Sequence, residues 1–326
     1  MRDFKKPFFI ITIDTEGDNL WSKPKEITTY NAKYIERFQN LCEKYCFRPT
    51  YLVNYEMAID PLFRKLAKKW IKENRAEIGM HLHAWNTPPL YRLTEDDFYN
   101  QPLLIEYPLD AMRKKLAFMT RLLEDTFEVR VTSHRAGRWG FNETYAKLLV
   151  ELGYKVDCSV TPGISWERVR GGPNYKGFPT EAYFVNLDNI RERGKSDLLE
   201  VPVSIVYIYS YFVERLFAIS EKLAVTIGNK LSAISSPKLT WLRPKRKNLK
   251  YMLRLLDRAI SMKWTYVEFM LHSSELMPGG SPRFKTQEAV DKLYHDIEAL
   301  FRKSNPHFEP ATLSEFYQKF CDKTLS

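Results

Sequence analysis

The sequence has no Cys-x-x-Cys pair, no long uncharged apolar run, no internal repeat and no low-complexity tract. Each absence removes a class of protein. The four cysteines, Cys42, Cys46, Cys158 and Cys321, are too few and too scattered for a disulfide scaffold or a zinc finger. Cys42 and Cys46 lie one helical turn apart among apolar neighbours, which reads as free, buried thiols in a reducing compartment. Without about 18 consecutive uncharged apolar residues there is no candidate transmembrane helix. The chain starts Met-Arg-Asp-Phe-Lys-Lys and passes at once into Pro7 and a strand-like run, with no small-residue cleavage site. The expectation is a soluble, cytoplasmic protein. No finger, homeodomain or RNP pattern accompanies the basic residues, which argues against nucleic acid as a partner.

What is present is an ordinary globular composition. The chain has 326 residues, 44% hydrophobic and 28% charged, enough for one large α/β domain with a sizeable core. That core accounts for the 14% of aromatic residues. The formal charge of +10 favours anionic partners such as phosphorylated substrates or an acidic membrane surface.

Strand-like and helix-like stretches alternate. Residues 8–13 are apolar on both faces, as in a strand buried on both sides of a parallel sheet. Residues 31–46 carry Tyr34, Ile35, Phe38, Leu41, Cys42 and Tyr45 at helical spacing. A strand is expected over 49–55, and Asp60-Pro61 supplies an N-cap and a first-turn proline for a helix to about Glu73. Further strands are expected over 76–83, 128–134, 154–160, 198–206 and 265–272. Helices are expected over 109–126, from Asn142 to Gly153, within 210–235 and 246–262, and over 285–303. The tail 308–323 adds a short strand and helix. Seven or so strands, each followed by a helix, argue for parallel βα units closed into a barrel. The whole of 1–326 reads as a single domain, with an inserted cap over 161–197 and a basic helical region over 206–262.

Five polar clusters fall at strand ends. The first is Asp14-Thr15-Glu16-Gly17-Asp18, whose crowded carboxylates repel one another unless a cation sits among them. The second is Glu77-Ile78-Gly79-Met80-His81-Leu82-His83, which holds two of only six histidines. On a helix those imidazoles would diverge by about 200°; on a strand they share a face and can reach one ion. Two histidines and one carboxylate leave positions open for water and substrate. The third runs from Ser133 through Arg135 to Trp139 and Gly140, where Arg135 can pin a carboxylate. The fourth is Asp157-Cys158-Ser159, and the fifth ends in His272-Ser273. In a parallel barrel, Asp14, His81, His83, Arg135, Asp157 and His272 all lie at carboxyl ends and converge on one rim.

In this order the motifs resemble those of the polysaccharide deacetylases, the NodB-homology or carbohydrate esterase 4 family, over roughly residues 8–275. The likeness is to the divergent branch found in surface-polysaccharide and lipopolysaccharide biosynthesis. The resemblance implies a distorted (β/α)7–8 barrel and hydrolysis of an N-acetyl group on an amino sugar. It implies Asp14 as catalytic base, Arg135 as the group that holds it and His272 as general acid. It implies Glu16, His81 and His83 as ligands of a divalent metal, most naturally zinc, and Trp139, Asp157 and Ser159 as residues lining the substrate groove. Two spacings depart from the family pattern. Thr15 separates acids that are usually adjacent, and the histidines are two apart rather than four, with Trp85 following. Asp14 and Asp18 stay open as alternative metal carboxylates. The implied partner is an acetylated glycan, lipid- or nucleotide-linked.

Residues 238–250 hold Lys238, Arg243, Lys245, Arg246, Lys247 and Lys250 around Trp241. They form either a solvated helix start or a surface for anionic lipid heads, which would place the protein at the inner membrane face. The apolar, aromatic segment 205–219 reads as a strand running into a packed helix. Two other functions fit the same barrel: a C–N hydrolase acting on a small cyclic amide, and a non-catalytic glycan-binding or assembly protein.

Overall fold

Every residue of the first strand, β1 (Phe8–Thr15), is buried, and its two faces differ in kind. Phe9, Ile11 and Ile13 join the large core under the helices with Ile35, Phe38 and Phe301. Phe8 and Ile10 face the opposite way, into a smaller cluster with Val156, Tyr266, Phe316 and Phe320. Thr12 and Asp14 continue that inner face but meet charge: Thr12 donates to Glu268, and Asp14 accepts from Arg135. Alternation with a period of two thus makes one side of the strand apolar from Phe9 to Ile13 and the other apolar only at Phe8 and Ile10.

This is a computed structural model, which describes residues 5–217, 219–232 and 236–325. After β1 come α1 (Ala32–Lys44), β2 (Thr50–Val53), α2 (Tyr55–Ile59), α3 (Pro61–Lys72) and β3 (Glu77–Leu82). Then follow α4 (Asp97–Asn100), α5 (Leu109–Phe127), β4 (Ser133–Ala136), α6 (Glu143–Glu151), β5 (Val156–Asp157), β6 (Tyr183–Phe184) and β7 (Leu199–Glu200). The chain continues with β8 (Ile205–Ile208), α7 (Tyr211–Phe217), α8 (Glu221–Leu231), β9 (Lys238–Trp241), α9 (Leu249–Ser261) and β10 (Tyr266–His272). It ends with α10 (Gln287–Ser304), β11 (Glu309–Ala311) and α11 (Leu313–Leu325).

The main sheet runs β10-β1-β2-β3-β4-β5-β7-β6, with β11 beside the start of β1. Its pairings are parallel except β6 with β7. At the far edge of β10, Ser204 Oγ accepts from the Glu268 amide and the Leu242 carbonyl accepts from the Met270 amide. The sheet curls into a distorted α/β barrel, as expected. β8 and β9 form a separate antiparallel pair. At the end where the strands begin, α11 acts as a plug. Its Leu313 and Ser314 amides donate to Thr50 and Glu77, the residues that open β2 and β3. The carboxyl ends of the strands are left as the open rim.

The local departures from expectation have local causes. Glu128, in the left-handed conformation, ends α5, and pairing on β4 begins only at Ser133. Pro202 interrupts the run 198–206, splitting it into β7 and β8. Segment 161–197 contributes β6 and two isolated bridges, Ser165 with Asn174 and Val185 with Arg193. Cys42 and Cys158 are free and buried, whereas Cys46 is exposed, because it follows the end of α1 with a positive φ of 59°. No helix among the described residues is long and apolar enough to cross a membrane.

Candidate metal centre and active site

Strand register brings the inner-face residues together. Asp14 pairs in register with His272, and His81 with Arg135. Just past the ends of β1 and β3, Glu16 and His83 turn toward the same point. Glu16 Oε2 lies 3.6 Å from His81 Nε2 and 3.5 Å from His83 Nε2, and all three residues are buried. Ligand atoms held about 2.0–2.1 Å from a tetrahedral zinc are about 3.4 Å apart, so these separations fit an ion better than a hydrogen bond. His81 Nδ1 is 3.0 Å from the Arg135 carbonyl. A carbonyl can only accept, so Nδ1 carries the proton and the Nε2 lone pair faces Glu16. Trp85 stacks on the His83 ring at 4.3 Å and 19°. On the other side, a Cβ at position 137 would come within 2.4 Å of His83 Cδ2, so only glycine lets the backbone pass there.

Beside this triangle sits an ion pair at full burial. Arg135 donates to Asp14 Oδ1 at 2.5 Å, to Thr12 Oγ1 at 2.9 Å and to the Cys158 carbonyl at 3.1 Å, and also to Glu268. Burial alone would raise the Asp14 carboxyl. The charge of Arg135, aided by His81 and His272, outweighs burial and holds it well below the usual range. Asp14 Oδ2 is left 3.6 Å from His272 Nε2. Burial would likewise lower His81, but Asp14 and Glu16 prevail and raise it. His83 is driven well below its ordinary value by burial, with His81 and Arg138 adding to the effect. Asp18 does not join the group: it accepts from Thr28 Oγ1 at 2.9 Å, and only Glu16, His81 and His83 form a metal-sized set among the described residues.

No family model and no curated protein matches the sequence. Solved structures do. A candidate polysaccharide deacetylase from Mycobacterium smegmatis superposes with a TM-score of 0.54 at 14% identity, over 99% of this chain and 94% of its own. A candidate glycoside hydrolase/deacetylase from Parabacteroides distasonis gives 0.60 at 8% identity, over 97% and 72%. The chain has their fold. A 4-alpha-glucanotransferase from Thermococcus litoralis also matches, at 0.51 and 15%, over 97% of this chain but only 40% of that one. One fold thus serves different chemistries, and function has to be argued from the site.

The remaining residues singled out from sequence fall elsewhere. Asp157 and Ser159, expected to line the groove, are fully buried on the helix side of the sheet. Asp157 Oδ1 is 2.6 Å from His134 Nδ1 and accepts from Ser159 Oγ at 2.8 Å; His134 Nε2 meets Tyr145 of α6 at 2.8 Å. Their parity on β4 and β5 takes them away from the barrel interior. Trp139 packs at 8% exposure with Trp166 and Trp241, its ring 5.2 Å from the Arg135 guanidinium. Arg243, read as a surface cation, is buried instead, because Glu275 takes its charge at 3.0 Å and His272 Nδ1 lies 2.8 Å away. Sequence reasoning missed Glu275, three residues past His272, and Glu56, which accepts from the Gly17 amide and from Asn86. It also missed Trp21, whose indole packs edge-on against His272 at 5.4 Å and is 44% exposed. An acid following a strand-end histidine was the one available signal.

Proposed function

We propose that this chain is a metal-dependent hydrolase that removes the acetyl group from an N-acetylated amino sugar. The observation that carries the reading is one rim holding both a Glu16–His81–His83 triangle and an Asp14–Arg135 pair, with His272 Nε2 3.6 Å from Asp14. Glu16, His81 and His83 would hold the divalent ion, zinc being the natural choice for two imidazoles and a carboxylate. Such an ion, when bound, lowers the pKa of water from ~16 to about 7 and polarises the acetyl carbonyl. Asp14 takes the proton of the attacking water. Arg135 keeps Asp14 ionised and fixes its orientation through Oδ1, leaving Oδ2 free toward the rim. His272 returns a proton to the departing sugar nitrogen; as an imidazolium it donates Nδ1–H to Glu275, which Arg243 pairs in turn, so that Nε2 faces Asp14. Each proton-transfer group is worth about 10²–10⁴ in rate. Trp21 offers an exposed aromatic face to a sugar ring beside His272.

The substrate is an amino sugar of a bacterial surface polysaccharide or of its lipid- or nucleotide-linked precursor, processed in the cytoplasm or at the inner membrane face. The resemblance in motif order and the chain's net charge of +10 support this. The test is acetate release from N-acetylated oligosaccharides. Activity is expected with zinc, lost on chelation and restored by the metal. Full activity in metal-free protein would overturn the reading.

A further inference from the structure

We infer that the segment 205–254 docks the protein on an anionic lipid bilayer. It carries ten Lys and Arg against two Glu, a balance of +8 within a chain of +10. Charge is therefore nearly neutral everywhere else. Arg215, Lys222, Lys230, Lys238, Arg246 and Lys247 are exposed, and none makes an ion pair among the described residues. Elsewhere on the barrel, Lys44, Lys68, Lys147 and Lys155 each meet a carboxylate, whereas Lys33, Lys65 and Lys69 are exposed without one among the described residues, so it is the concentration of cations that sets the segment apart.

The same segment exposes apolar surface that a water-facing domain ordinarily buries. Tyr211 and Phe212 are each 64% exposed and Ile219 is 77% exposed. Tyr207 and Leu239 sit opposite each other in the β8–β9 register, share a face, and are both exposed. On α8, Ala224 and Gly228 are buried, and a Cβ on Gly228 would strike the Tyr209 ring at 2.5 Å. The helix thus gives its smallest residues to the protein. Its Leu223, Ile227 and Leu231, four apart on an adjoining stripe, stay at least partly open to solvent. Aromatic and aliphatic side chains set among unpaired cations are the chemistry of an interfacial segment: the cations meet lipid phosphates while the apolar groups enter the headgroup boundary.

One end of the segment adjoins the rim. Arg243 reaches His272, and Trp241 packs against Trp139. The exposed residues of α7 and α8 lie instead toward the start of β10, where Val213, Phe217 and Ala224 pack with Met262.

The experiment is flotation of the full chain with phosphatidylcholine vesicles, with and without phosphatidylglycerol, alongside acetate release from a water-soluble N-acetylated oligosaccharide. The chain should float with the anionic vesicles alone, and less so as salt rises. A Lys222→Gln, Lys230→Gln, Lys238→Gln triple variant should partition on the order of a hundredfold more weakly. A Phe212→Ser, Ile219→Ser variant should also float less, and both should keep acetate release unchanged. Failure to float with anionic vesicles, or equal flotation with neutral ones, overturns the inference. A chain that does not float but forms dimers that Phe212→Ser dissolves also overturns it, because a second copy then covers the patch. Flotation without acetate release supports docking and sinks only the deacetylase reading.

Discussion

His134 and Arg135 are neighbours on β4 yet serve clusters on opposite faces of the sheet. Outward, His134 is closed on both nitrogens, by Asp157 at 2.6 Å and Tyr145 at 2.8 Å. Inward, His81 and His83 point Nε2 at a carboxylate 3.5–3.6 Å away, across a gap that a hydrogen bond would have shortened. The electrostatics separate in the same sense. Burial lowers His134 despite its single acid, whereas Asp14 and Glu16 together overcome burial at His81 and raise it. Two buried clusters of histidine and carboxylate thus differ: in the outer, protein groups meet both nitrogens of His134, and in the inner, the separations among Glu16, His81 and His83 suit ligands around one ion.

The largest expected effect breaks the inner cluster. His81→Ala should abolish metal binding and acetate release together, by metal analysis and product assay, while His134→Ala keeps the metal stoichiometry of the folded protein. Asp14→Asn should retain metal but lose about 10²–10⁴ in kcat, since it removes the proton acceptor and not a ligand. Asp157→Asn breaks the outer cluster instead. It should cost about 1–3 kcal/mol of stability, by denaturant titration, with kcat per folded molecule unchanged. Gly137→Ala pushes on the His83 ring and should weaken metal binding about 10-fold.

The smallest effect concerns pH. Because His81 is raised in the metal-free protein, a proton must leave before the ion can bind. Metal affinity should therefore fall as pH drops through the raised His81 value and level off above it, in a titration with a competing chelator. In His134→Ala the same dependence should persist.

Much of the barrel was legible because its strands are marked by apolar runs and its helices by caps such as Asp60 and Asn142, both of which cap as expected. The metal triangle was legible because two histidines spaced by two on a strand must share a face. What sequence could not give was the face itself. Asp157 sits at a strand end like Asp14, but a two-residue strand leaves its parity undefined until β4 fixes it. Arg243 was hidden for another reason. It lies in a run of surface cations, and only the return of β9 to the barrel carries it to His272.

The most direct measurement is an anomalous difference map from crystals grown with zinc. One peak is expected about 2.0–2.2 Å from Nε2 of His81, Nε2 of His83 and the Glu16 carboxylate. A map with both imidazoles ordered and no peak between them, or with the ion bound elsewhere, would contradict the account.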